Sequence, residues 1–259
     1  MTLSLTCDSI GCGPDILLLH GWGLNSEVWQ PLLDRLQSHF CFHLLDLPGF
    51  GVNHQLAPDH YNLATVTELV ARHLTRPTVV LGWSLGGLVA QQLALQYPQR
   101  VRALVCITSS PRFLADDNWP GIKDDVLRAF AAQLRSDPAA TVERFLAIQA
   151  LGSERARADI QLLKQQISRR PTANPVALKQ GLNILREADL RHQLKQIECP
   201  TLRIYGRNDS LVPKAALEQI EALQPQATSM LFPKASHAPF ISHADEFAEA
   251  LHHYLARLS

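Results

Sequence analysis

The sequence predicts an α/β fold, a mostly parallel sheet with helices on both faces and an inserted helical cap. Three observations predict it. Short, continuously apolar runs alternate with longer segments of helical period, the pattern of parallel strands covered on both faces. From 111 to 198 the alternation stops and only helical segments follow one another. The composition, 46% hydrophobic and 19% charged, is globular rather than disordered.

Taken in order, residues 15–19 and 40–46 read as buried strands with a helix near 26–37 between them. A helix over 63–74 leads to a strand at 78–81. A helix then runs to Tyr97, where Pro98 stops it. Residues 101–108 are the next strand. Helical stretches follow at 124–134, 139–151, 154–168, 175–185 and 190–195, with Asp137-Pro138 matching an N-cap followed by proline at the first helical position. A strand at 200–205, a helix at 213–223, a strand at 228–232 and a helix at 243–256 complete the chain. The expected division is a core of 1–110 and 199–259 with 111–198 as a cap, folding as one unit. Such a cap lies over the carboxyl ends of the strands, where sheets of this kind place their sites.

The 259 residues carry 24 Lys and Arg against 24 Asp and Glu. Zero formal charge argues against broad binding to nucleic acid or to an acidic membrane. No window reaches the roughly 18 apolar residues of a membrane span, and the first residues lack the pattern of a secretory signal. The five cysteines are odd in number, scattered, and in no zinc spacing. A cytoplasmic monomer is expected. Gly49-Phe50-Gly51 lacks dinucleotide spacing, and neither a Walker loop nor His-Glu-x-x-His occurs, so no cofactor or metal is expected.

The chemistry centres on Gly82-Trp83-Ser84-Leu85-Gly86, placed between the 78–81 strand and a helix. A serine at such a sharp strand-to-helix bend presents its hydroxyl as a nucleophile. It needs a base held by an acid. Asp209 follows the 200–205 strand and His237 follows the last strand, so all three are expected at one sheet edge. An Asp after a strand is as often an Asx-turn, and His20 reads as a residue that orients its loop. The oxyanion donors expected are the amides of Leu85, next to the nucleophile, and Trp22, in His20-Gly21-Trp22-Gly23. The Trp22 ring reads either as a core aromatic or as a pocket wall.

The His-Gly-Trp-Gly loop, Asp46-Leu47-Pro48-Gly49-Phe50-Gly51, the Ser84 pentapeptide and the order Ser–Asp–His together resemble the α/β-hydrolase superfamily over almost the whole chain. Within it, Asn118-Trp119-Pro120-Gly121-Ile122-Lys123, Thr141-Val142-Glu143-Arg144-Phe145-Leu146-Ala147 and Ala235-Ser236-His237-Ala238-Pro239-Phe240 are similar to the biotin-pathway carboxylesterases. The resemblance implies hydrolysis of the methyl ester of pimeloyl-acyl-carrier protein. It implies that Phe145, Leu146, Ala147, Ile148 and Gln149 line an acyl tunnel, bounded also by Trp22, Ser84, Leu85 and His237. It further implies that Arg144, Arg157 and Lys164 dock the carrier protein, although Ala140 and Gln161 depart from the family's basic pattern.

Independently of the resemblance, residues 144–170 hold six basic side chains against two acidic ones, a face that would steer an acidic carrier. Two other readings stay open: a general short-chain carboxylesterase with an incidental basic cap, and a catalytically silent binding protein on the same fold.

Overall fold

A computed structural model describes residues 3–258. The strands are β1 (Cys7–Gly11), β2 (Asp15–Leu19), β3 (Cys41–Leu45), β4 (Thr78–Trp83), β5 (Val101–Ile107), β6 (Thr201–Gly206) and β7 (Thr228–Phe232). The helices are α1 (Gln30–Leu36), α2 (Leu63–Ala71), α3 (Leu85–Gln96), α4 (Asp124–Ser136), α5 (Pro138–Gln149), α6 (Ala156–Ile167), α7 (Pro175–Glu187), α8 (Lys214–Leu223), α9 (Pro239–Ser242) and α10 (Ala244–Ala256).

The seven strands lie in the order β1-β3-β2-β4-β5-β6-β7, and only β1 runs antiparallel to its neighbour. Alternate residues of the central strands enter two separate cores. Leu17, Leu19 and Val80 pack on one face of the sheet; Ile16, Leu18, Val79 and Leu81 pack on the other. Both faces being covered is why these strands read as unbroken apolar runs. The first core continues without a break into the helices between β5 and β6, taking in Phe130, Phe145 and Leu182 alongside Leu85 and Leu88.

Sequence and structure differ in a few places. Strand β1 escapes the hydrophobic pattern because four of its five residues are exposed; it is held by main-chain pairing with β3. The helix expected over 26–37 begins as a 3₁₀ turn at Ser26–Trp29, ahead of Pro31 at the start of α1. The stretch at 190–195 is a 3₁₀ turn, Arg191–Gln196. The last helix is preceded by a separate turn, α9, which begins at Pro239. Between β5 and β6 the described residues hold only α4–α7, that 3₁₀ turn and two isolated bridges near Trp119.

The strand order also locates the crevice. From β2 the chain steps outward to β3, then returns to place β4 on the other side of β2. Ligands bind at such a reversal, outside the carboxyl ends of the strands. The loop after β2 carries Trp22, and the bend after β4 carries Ser84.

Candidate active site

Ser84 sits between β4 and α3 at φ 55° and ψ −116°, a left-handed backbone that a residue with a side chain adopts only when its surroundings enforce it. They do so here. The Ser84 amide donates to the Ile107 carbonyl at 3.0 Å, and its carbonyl accepts from Ser109 Oγ at 2.8 Å and from the Gly87 amide at 2.9 Å. The flanking glycines are required by close approach. A Cβ on Gly82 would lie 2.3 Å from the Gly86 carbonyl oxygen, and one on Gly86 would lie 2.3 Å from that of Leu19.

Asp209 and His237 occupy the loops after β6 and β7. Oδ1 of Asp209 accepts the amides of Leu211 (2.8 Å) and Val212 (3.1 Å), while Oδ2 meets His237 Nδ1 at 2.7 Å. The Asx-turn and the pairing with histidine are thus both present, one oxygen serving each. An Nδ1–H donated to the carboxylate leaves Nε2 as the free acceptor. Among the described residues, neither His237 Nε2 nor Ser84 Oγ has a hydrogen-bond partner, though both are buried. Buried polar atoms without partners are rare in folded proteins, and catalytic hydrogen bonds often tighten only once substrate is bound.

The loop after β2, expected to supply an oxyanion donor, is held by His20. Its Nδ1 donates to the Gly21 carbonyl at 2.8 Å, and its Nε2 accepts the Leu47 amide at 2.9 Å. This pairing fits a neutral imidazole. Burial pushes its pKa below the usual range, partly opposed by Asp46 with Oδ1 at 3.9 Å. The Trp22 amide has no acceptor among the described residues. Leu85 opens α3, where amides have no partner within the helix. The Trp22 ring is both core and wall: fully buried, it donates through Nε1 to the Leu178 carbonyl at 2.8 Å and meets Phe145 edge-on at 4.7 Å.

Helix α5 faces the site with one side only. Phe145, Leu146 and Gln149 are buried, Ile148 is half-buried and Ala147 is exposed, because five consecutive helical residues cannot share one face. Both amide atoms of Gln149 are buried without a partner among the described residues. Beside α5 a groove of about 750 Å³ runs past Gly23, Leu24, Val142, Leu146 and Ile167.

Arg144, Arg157 and Lys164 are all exposed. Lys164 pairs with Glu143 at 2.9 Å, and Arg144 rests 5.2 Å above the Phe130 ring while donating to Gln133 Oε1. Arg170 is turned away into pairs with Glu27 and Asp8. Counting charges along 144–170 therefore overstates the free positive face, since Glu143, Glu27 and Asp8 lie outside the stretch.

Asp15 and Cys41, which open β2 and β3, and His43 in the middle of β3 bring ligating atoms within 4.8 Å of one another. Asp15 is already engaged there by His43 and Arg76.

The sequence pattern of the alpha/beta hydrolase fold matches residues 14–244. The chain belongs to the α/β-hydrolase fold family. This hydrolase is 47% identical over 253 residues to a pimeloyl-[acyl-carrier protein] methyl ester esterase of Aeromonas hydrophila, covering 98% of this chain and 100% of that one. A protein of the same name from Pectobacterium atrosepticum is 50% identical over 235 residues, or 91% of each chain. In three dimensions it superimposes on an esterase from Exiguobacterium antarcticum with a TM-score of 0.87 at 23% identity, over 97% of this chain and 95% of that one. That likeness shows the fold. A hydrolase from Pseudomonas aeruginosa gives 0.81 at 27% identity, over 96% and 93%.

Proposed function

We propose that this α/β hydrolase is a serine carboxylesterase of biotin biosynthesis that cleaves the methyl ester of pimeloyl-acyl-carrier protein, releasing methanol and the free carboxylate still attached to its carrier. The observation that carries the reaction type is the buried Asp209–His237 pair, 2.7 Å apart, on the same sheet edge as Ser84 on its strained bend. The relatives named for this substrate, similar from end to end, support its identity.

In this reading Ser84 Oγ attacks the ester carbonyl as His237 Nε2 takes its proton. Asp209 holds the imidazole in the required tautomer and stabilises the imidazolium. The amides of Trp22 and Leu85 bind the oxyanion, each such donor contributing about 3 kcal/mol. The intermediate collapses, His237 protonates the departing methoxide, and methanol leaves an acyl-enzyme on Ser84. His237 then takes a proton from water, whose oxygen attacks the acyl carbonyl. Return of that proton to Ser84 frees the acid. No step draws on a cofactor or a metal.

The acyl chain would run along the inward face of α5, past Phe145, Leu146 and Gln149, with Ile148 at the margin and Ala147 outside. Residues 111–198 act as the cap. Arg144 and Arg157, with Lys164 once released from Glu143, meet the acidic carrier. No described helix is long and apolar enough to cross a membrane. A cytoplasmic monomer is the setting this reading implies.

The internal pairing of Lys164 favours the second reading, a general carboxylesterase, and a kinetic comparison separates the two. Reversing Arg144, Arg157 and Lys164 to glutamate is expected to lower kcat/KM for the carrier-bound ester roughly ten- to a hundredfold at low salt, through slower encounter. The dimethyl ester of pimelic acid should be turned over unchanged. Equal rates for the two substrates in the unaltered enzyme, or no loss on reversal, would defeat the carrier reading.

A further inference from the structure

The main chain of His237 is held from two sides. The core holds its carbonyl, which accepts from Trp83 Nε1 at 2.8 Å and Thr108 Oγ1 at 2.6 Å. The cap holds its amide, which donates to the Gln149 carbonyl at 3.2 Å. Gln149 ends α5, and the turn that follows is tied to the same catalytic loops three more times. Ser236 Oγ donates to the Leu151 carbonyl at 2.7 Å, and Asn208 Nδ2 donates to the Gly152 carbonyl at 3.0 Å. Lys234 Nζ lies 3.8 Å from Glu154 Oε1.

The turn's other hydrogen bonds are local, among them the Leu151 amide to the Ile148 carbonyl, the Ser153 amide to the Ala150 carbonyl and Ser153 Oγ to Asp159 Oδ2 at 2.7 Å. Leu151 is 61% exposed, and Gly152 is exposed with φ +87°. Asn208 and Ser236 each stand one residue before a member of the triad, and each spends its side chain on a cap carbonyl. The two loops are also joined to each other, the Asn208 amide donating to the Ala235 carbonyl at 3.0 Å. Acid loop, base loop and α5–α6 turn form one hydrogen-bonded knot.

We propose that Asn208 and Ser236 are positioning residues that strap the α5–α6 turn of the cap onto the loops carrying Asp209 and His237. The strap keeps the Gln149 carbonyl on the His237 amide, and so sets where Nε2 stands relative to Ser84. This end of the cap then moves with the base instead of opening as a free lid. The inference rests on the serine-hydrolase chemistry proposed above but not on a carrier-bound substrate, so a small ester tests it.

The experiment compares the unaltered enzyme with an Asn208→Ala/Ser236→Ala double variant and with Ser236→Thr, which keeps the hydroxyl. Steady-state kcat and KM are measured with the dimethyl ester of pimelic acid. Active sites are counted by end-point labelling with a fluorophosphonate, so that unfolded protein drops out of the comparison. Misplacement of a reacting group by about an ångström costs up to roughly a hundredfold. The double variant is accordingly expected to lose about ten- to a hundredfold in kcat per labelled site, with KM within about twofold. Ser236→Thr should stay within about twofold of the unaltered enzyme. Should the double variant not fold, Asn208→Ala, at an exposed side chain, carries the test with an expected loss of a few-fold. An unchanged kcat per labelled site overturns the proposal, as does a loss confined to the number of sites, or a threonine variant as impaired as the alanine one. An unaltered enzyme that neither labels nor hydrolyses the ester would instead overturn the hydrolase reading, and that shows before any variant is made.

Discussion

Replacing Ser84 with alanine is expected to lower kcat for ester hydrolysis by roughly 10⁴- to 10⁶-fold, leaving only what oxyanion binding and substrate positioning supply. The fold should survive. The hydroxyl oxygen removed is buried with no partner among the described residues, so its loss leaves no other group unsatisfied. The bend itself is held by main-chain bonds to Ile107 and Gly87 and by Ser109 Oγ, none of which uses the Ser84 side chain. Initial rates at saturating ester, beside a thermal melt, check both halves. A variant that keeps most of its activity would remove Ser84 from the mechanism.

Asp209→Asn should cost nearly as much, roughly 10⁴-fold in kcat, for a different reason. One carboxylate oxygen accepts two backbone amides and the other accepts His237 Nδ1–H. An asparagine side chain fits the same space with a single acceptor oxygen. If that oxygen stays on the Leu211 and Val212 amides, the NH₂ group faces Nδ1 and selects the tautomer with its proton on Nε2. That tautomer cannot accept the serine proton. KM should change little, because Asp209 touches His237 and backbone rather than substrate. A loss of less than about tenfold would mean that His237 does not depend on this carboxylate for its tautomer.

Strand β2 matches the sequence reading residue for residue, and β4 and β5 nearly so, because an apolar run is what a covered strand requires. Strand β7 also matches, although three of its five residues are exposed at the sheet edge. The loops after β2, β4, β6 and β7 followed from those strands, and with them the positions of Trp22, Ser84, Asp209 and His237. What could not be read is carried by the main chain or by partners remote in sequence. Strand β1 pairs through backbone while exposing its side chains. The bonds joining Gln149, Leu151 and Gly152 to the catalytic loops use carbonyls, which any residue possesses, so no residue pattern announces them. The resemblance implied five consecutive residues of α5 along an acyl chain; helical geometry buries Phe145, Leu146 and Gln149, half-buries Ile148 and leaves Ala147 exposed. The stretch 144–170 looked more strongly charged than it is because Glu143 and Glu27 pair with Lys164 and Arg170 across 21 and 143 residues of chain.

The most direct measurement is mass spectrometry of pimeloyl-methyl-ester carrier protein after incubation with the purified enzyme. The account predicts loss of the methyl group with release of methanol, the thioester to the carrier left intact, and a kcat/KM above that for the free dimethyl ester. A methyl ester that persists, or a carrier stripped of its acyl chain at the thioester, would contradict it.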